Sequence, residues 1–394
     1  MIQVFTHANF PLMGRAKLYF MGFSALAILV SIWAIATRGF NYGIDFAGGT
    51  AVRLKFLESP HVDGIRAALD RAGFEGLTIQ RIGEESDHEV LIRVEQQRAT
   101  TGTPGDEGGK ISDKILQALQ TPEQKTGAQT GKLDLNIASE VEIKDWLSTR
   151  LKAAESGAAS AGAASIASTL VAYRTSHAGL VADPKALEGI PGLGPDAVKL
   201  LTTEAFLGPL ALRGVDFVGP TAGKELMQNT ALAVFFSVAG ILGYVWIRFH
   251  WMWGLTSVIA VVHDVLIAAG AVALTRKEFS LDVVAALLTI LGYSINDTIV
   301  VFDRIRENLR VYRDVEFEEL VNASINQTLS RTILTSFTVF IAITALYLYG
   351  GDKLEPLSFC LMVGVVFGTY SSIFVASALL VIAYQRLGAK YVKS

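Results

Sequence analysis

Residues 292–310 read GYSINDTIVVFDRIRENLR, and they close an apolar run that begins at Leu281. At ~1.5 Å rise per residue, about 20 helical residues cross a ~30 Å hydrocarbon core, so the run is long enough to span a bilayer. Near its inner end it carries Asn296 and Asp297, and it leaves through Asp303, Arg304, Arg306 and Glu307. A charged side chain at membrane depth costs at least about 2.5 kcal/mol, so it faces protein or a wet cavity. On a helix, Tyr293 at i−4, Ser294 at i−3 and Arg304 at i+7 share the face of Asp297, whereas Asn296 and Asp303 point elsewhere.

The 394-residue chain is 51% hydrophobic and 18% charged, with a mean hydropathy of +0.41. That balance describes a membrane protein with a substantial soluble part. The net charge of −3 offers no basic field for nucleic acid. The one cysteine, Cys360, lies in an apolar run and cannot form a disulfide within the chain. No nucleophile–base arrangement, Cys/His metal spacing or P-loop stands out. The chain is therefore read as a non-enzyme without cofactor or metal.

Six membrane spans are predicted, at about 18–37, 230–247, 254–275, 281–302, 332–349 and 357–384. Ala34-Ile35-Ala36 has the small-x-small look of a leader cleavage site. The apolar run before it exceeds the usual h-region of about 7–15 residues, which favours a retained span. Arg15 and Lys17, Arg248, the arginines at 304, 306, 310 and 313, and Arg386, Lys390 and Lys393 fall on one side. By the positive-inside rule that side is cytoplasmic. Residues 1–17, the loop 303–330 and both termini belong there, and residues 38–229 form an extracytoplasmic domain.

In that domain, Val52, Leu54 and Phe56 alternate with Arg53 and Lys55 as in a half-buried strand. Val62, Ile65, Leu69 and Ala72 recur at helical spacing. Leu77–Ile82 and Glu89–Val94 read as two more strands, and Leu212–Val218 as a fourth. This order predicts a ferredoxin-like α/β sheet with helices on one face, built from 38–95 and 211–220. Residues 96–210 read as an insertion. Residues 100–109 look like a loop, and residues 153–172 are of low complexity. Asn136 or Ser139 would cap a helix.

Three separated motifs resemble the SecF family of protein translocase subunits, an RND-like group. They are GIDFAGGT (43–50), VGPTAGKEL (218–226) and the stretch from Gly292 to Asn308; His263-Asp264 also fits. The resemblance covers 1–95 and 211–394. It implies a bacterial inner-membrane protein that pairs with SecD, works with the SecYEG channel and YajC, and uses the proton gradient to assist exported polypeptides. It further implies proton transport at Asp297 and Arg331. Residues 96–210 look instead like helix-hairpin-helix modules of competence DNA receptors, through LEGIPGLGPDAVKLL (187–201). This segment holds 11 basic and 13 acidic residues, a net of −2. Durable DNA affinity needs an excess of cations, so a structural or protein-binding use is expected and no nucleic acid partner.

The residues alone support the same centre. Arg331 opens the fifth span on the inner side, and its long stem could bring a guanidinium to the depth of Asp297. A carboxylate can alternate between a paired, ionised form and a neutral one, giving a two-state element. The competing reading is a fixed salt bridge between two helices. His263 and Asp264 sit mid-span and diverge by ~100°. Asp264 serves either as a second relay group or as a packing hydrogen bond, and His263 divides in the same way. Asn296 joins this candidate relay set as a neighbour of Asp297. Gly43, Asp45, Gly48, Gly49, Gly219 and Pro220 are expected to act structurally, as a hinge or sheet boundary where glycine supplies unusual backbone angles. Gly364-x-x-x-Gly368 is a close-packing signal. The rival functions are an RND-type exporter of small hydrophobic molecules and a non-transporting membrane scaffold.

Overall fold

The computed structural model describes residues 10–83, 85–94, 104–153, 159–177, 179–249, 251–312 and 314–387. The chain opens with helix α1 (Ala16–Arg38), the short strand β1 (Asn41–Tyr42) and one turn of helix, α2 (Ile44–Ala47). Next come β2 (Gly49–Phe56), α3 (Val62–Arg71), β3 (Leu77–Ile82), β4 (Glu89–Val94) and α4 (Pro104–Leu119). A helical segment follows: α5 (Pro122–Gln129), β5 (Leu133–Asp134), α6 (Glu140–Ala153), α7 (Ala159–Ser176), α8 (Pro195–Glu204) and β6 (Ala205–Phe206). After β7 (Leu210–Val218) come α9 (Pro220–Arg248), α10 (Trp251–Leu274), β8 (Glu278–Phe279), α11 (Leu281–Val311) and α12 (Phe317–Tyr349). The last span is α13 (Glu355–Ser371), a π-helical turn at Ser372–Ala376 and α14 (Ser377–Leu387). Two compact units result: one from the chain up to Phe46 and from Lys224 on, the other Ala47–Gly223.

Among the described residues six helices are long and apolar enough to cross a membrane, counting α13 to α14 as one, and they make up most of the first unit. The middle of the bundle is α10, α11 and the last span; α1, α9 and α12 leave most of their surface outside it. Helix α1 packs lengthwise on α10. That approach is close because Gly270 has no Cβ, which would collide with Ser31. The predicted loop 303–330 is corrected. Helix α11 continues to Val311 and α12 already begins at Phe317, so 312–316 is all that joins them. Polar contacts sustain the pair beyond the apolar run. Arg304 Nε donates to Gln327 Oε1 at 2.6 Å, and Asn308 donates to Ser324 at 2.8 Å and Gln327 at 3.0 Å.

The second unit is built on a four-stranded sheet of order β3-β4-β2-β7, antiparallel throughout. With α3 between β2 and β3, and α4 between β4 and β7, this is the split βαβ arrangement of a ferredoxin-like fold. Val52, Leu54, Val90 and Ile92 form the buried face, with Ile65 and Leu69 of α3 and Ile115 and Leu116 of α4 over them. The insertion boundary at residue 96 therefore shifts, since α4 belongs to the sheet. Gly105, Gly108 and Gly109 make its first turns read as loop, each glycine costing about 1 kcal/mol in a helix. Burial of Ile115 and Leu116 outweighs that cost, and Gly108 lets α4 come up against Phe217 of β7.

From Pro122 to Phe206 a separate core forms around Leu135, Ile143, Leu147, Leu170, Leu187 and Leu201. The cap of α6 is Ser139. Its Oγ accepts from the Glu142 amide, and the Glu142 carboxylate accepts from the Ser139 amide at 2.8 Å, a reciprocal capping box. Asn136 is fully buried instead, bonding Val181 through both its amide and its carbonyl and donating to Gly208 O. The low-complexity stretch forms most of α7, where Ala163 and Ala167 are fully buried. The hairpin-like stretch is a 3₁₀ turn, Pro184–Gly189, followed by α8.

Candidate functional site

Two buried carboxylates sit inside the helix bundle, and their surroundings differ. Asp297 of α11 is 3% exposed. Its one hydrogen bond comes from Ser336 of α12, at a long 3.4 Å. Ser336 in turn accepts from Tyr293 OH at 3.0 Å and from Thr369 of α13 at 2.7 Å. A chain of hydroxyls thus joins α11, α12 and α13 beside a carboxylate that is poorly saturated. Hydrogen bonds at the far end of the distance range contribute little.

Arg331 is exposed and, among the described residues, forms no ion pair with Asp297. The fixed salt bridge between two helices is absent. Helical geometry explains this. Ser336 faces Asp297, and Arg331 lies five residues earlier, about 140° around the same helix. Five residues at ~1.5 Å rise put Arg331 ~7.5 Å along the helix axis from Ser336.

Asp264 of α10 has no exposure at all. Ser294 of α11 donates to its Oδ2 at 2.5 Å and Ser371 of α13 at 2.6 Å. His263 Nδ1 lies 2.8 Å from its Oδ1. Although the two residues are adjacent on the helix, the imidazole folds back to the carboxylate. Among the described residues, His263 Nε2 is buried without a hydrogen-bond partner, and its ring stacks near Tyr370 at 6.5 Å. The Gly364/Gly368 pair makes this cluster possible. A Cβ on Gly368 would stand 3.3 Å from Ser294 Cβ, and one on Gly364 would collide with Ile290. Helix α13 therefore lies close against α11, which brings Ser371 to Asp264.

Asn296 is exposed on the outer side of α11, outside both clusters. Arg304 also leaves the polar stripe, donating to Gln327 at 2.6 Å and pairing with Glu307. Ser336, Thr369 and Ser371 were not singled out in the sequence. Serine and threonine in apolar helices commonly bond their own backbone, as Thr335, Thr338 and Thr344 do here. Nothing local distinguishes those from the ones that reach a carboxylate.

The glycine-rich motif divides into two parts. Gly48 and Gly49 lead into β2 with φ of +71° and +125°, a backbone that side-chain-bearing residues avoid. Gly48 also lies against Pro220, whose Cα would be 3.2 Å from an added Cβ. Asp45 does something different. Its Oδ2 accepts from the Leu281 amide at 3.0 Å, at the start of α11. Among the described residues, no group of three or more His, Cys, Asp or Glu side chains could hold a metal ion.

Residues 201–386 match the family described as protein export membrane protein SecD/SecF, C-terminal, and residues 33–56 match the SecD/SecF GG motif. The chain is 40% identical to a protein translocase subunit SecF of Koribacter versatilis, over 98% of this chain and 94% of that protein. It is 35% identical to the subunit of the same name in Desulfurispirillum indicum, over 93% and 90%. At 98% coverage the first alignment runs through 96–210, so the likeness is not confined to the flanks of that segment. Among solved structures the chain resembles SecDF, a translocon-associated membrane protein from Thermus thermophilus, with a TM-score of 0.64 at 31% identity. That match covers 96% of this chain and 39% of the SecDF chain.

Proposed function

The chain belongs to the SecF family of protein translocase subunits, and from that premise we propose that it converts a proton gradient into work on exported polypeptide, with Asp297 taking up and releasing the proton. It is a multi-pass protein of the bacterial inner membrane and an accessory of the Sec translocase. It acts beside SecD and the SecYEG channel, with YajC as a further associate. Both termini and the α11–α12 turn are cytoplasmic, and Ala47–Gly223 lies outside, in keeping with the arginines and lysines on the inner side. The subunit has no catalytic site of its own.

The observation that carries this reading is the state of Asp297. The carboxylate is buried and held by one long hydroxyl contact, with Arg331 on the same helix as Ser336 and, among the described residues, not paired with it. Such a group can exist neutral against Ser336, or ionised with Arg331 swung towards it, and the two states place different demands on α11 and α12. Asp264 is the fixed counterpart, a lock across α10, α11 and α13 with His263 as its inner partner. Asn296 faces away and is left out of the proton path. Asp297→Asn in membranes is expected to abolish gradient-dependent export while the subunit still assembles. Normal proton-driven export by that variant would sink the assignment.

A further inference from the structure

The proton reading leaves open how a change at Asp297 reaches the outer domain, and the start of α11 offers a route. Three kinds of contact graft residues 40–46 onto it. Strand β1 pairs in parallel with β8, Asn41 opposite Glu278 and Tyr42 opposite Phe279, and the Gly43 amide donates to Phe279 O at 3.0 Å. Phe279 is ringed by Phe40, Tyr42 and Phe46, with centroids 4.4, 5.9 and 5.9 Å away. Asp45 then accepts from the Leu281 amide. The residue in the usual capping position, Ser280, makes no side-chain cap bond. The first turn of α11 is thus capped by a carboxylate from a distant part of the chain, where the helix dipole favours negative charge.

We infer that Asp45 is the positioning residue that couples α11 to the outer domain. This inference rests on the proton reading of Asp297. Asp297 and the Asp45-capped amide belong to one continuous helix, Leu281–Val311. A shift of α11 carries residues 40–46 with it. Three residues past Asp45 the chain reaches Gly48 and Gly49, whose left-handed backbone turns it into β2. Strand β2 lies in the interior of the four-stranded sheet, bonded on both sides. A displacement of the helix end is therefore delivered to a central strand and not to a loose edge.

The test uses membrane vesicles holding the full chain with its natural partners, and two readouts. These are gradient-dependent export of a secretory polypeptide and dissipation of the gradient followed with a pH dye. Asp45→Ala is expected to cut export roughly ten-fold, the factor that about 1.4 kcal/mol of lost coupling gives, while dissipation continues. Asp45→Asn retains an amide oxygen for the Leu281 amide and is expected to restore export. A second arm joins the two strands through Asn41→Cys with Glu278→Cys, in a Cys360→Ala background. Because the strands travel together, this cross-link is expected to leave export unchanged; it decides the matter if Asp45→Ala fails to assemble. Full export by Asp45→Ala, dissipation lost together with export in that variant, or export lost on cross-linking each overturns the inference. Asp297→Asn separates the two proposals, because continued dissipation there overturns the proton reading and leaves the mechanical link at Asp45 standing.

Discussion

Asp264 and Asp297 are both buried carboxylates in the same helix bundle, and they are satisfied to very different degrees. Asp264 has a hydroxyl at 2.5 Å, another at 2.6 Å and an imidazole at 2.8 Å. Asp297 has one hydroxyl at 3.4 Å. A fully bonded buried acid holds its surroundings in one arrangement, since any movement strands several polar groups. An under-bonded acid near an unpaired cation loses little by changing partner. The first suits a lock and the second suits an exchange site.

The comparison breaks most decisively on stability. Asp264→Ala leaves two hydroxyls and an imidazole without their acceptor and is expected to cost about 3–5 kcal/mol. Asp297→Ala loses one weak contact and should cost about 1–2 kcal/mol. Thermal unfolding of the purified protein in detergent measures both, and equal losses would erase the distinction. Next in size is Gly48→Ala, which forces a Cβ into a left-handed backbone against Pro220, at about 1–2 kcal/mol. The same melting assay reads it. Arg331→Gln sharpens the contrast from the other side. With no ion pair to break, its stability should stay within about 0.5 kcal/mol of wild type, while export falls. A large loss of stability would mean that Arg331 is held in a fixed bridge after all.

The smallest expected effect lies outside the bilayer. Burial pushes the Asp134 carboxyl above its ordinary 3.8, against the amides of Asn136 and Gly208, the Gln124 side chain and the charge of Arg174. The native state then holds a proton that the unfolded chain has already released. Stability from this group falls as pH rises from 3.8 through the raised native value. Asp134→Asn should flatten that slope in melting curves taken across mildly acid pH.

What could be read in the chain follows the same contrast. Asp297 was legible because a carboxylate within an apolar run has few explanations, and the sheet because Val52 and Leu54 alternate with Arg53 and Lys55. The hydroxyls that complete the site were hidden among many that bond only their own helix. The second sheet helix was hidden by its glycines, because its burial depends on strands that come from elsewhere in the chain. A fixed bridge between Asp297 and Arg331 was the competing reading, and the reach of the arginine allowed it. Reach says nothing of rotation about α12, which sends Ser336 to the carboxylate and Arg331 to the outside.

The most direct test of the exchange site is infrared difference spectroscopy on the assembled protein in membranes while a proton gradient is applied and withdrawn. The account predicts a carboxylic acid C=O band that comes and goes with the gradient, is absent in Asp297→Asn and persists in Ser371→Ala. A band that survives in Asp297→Asn, or no gradient-dependent band in the wild-type protein, would contradict it.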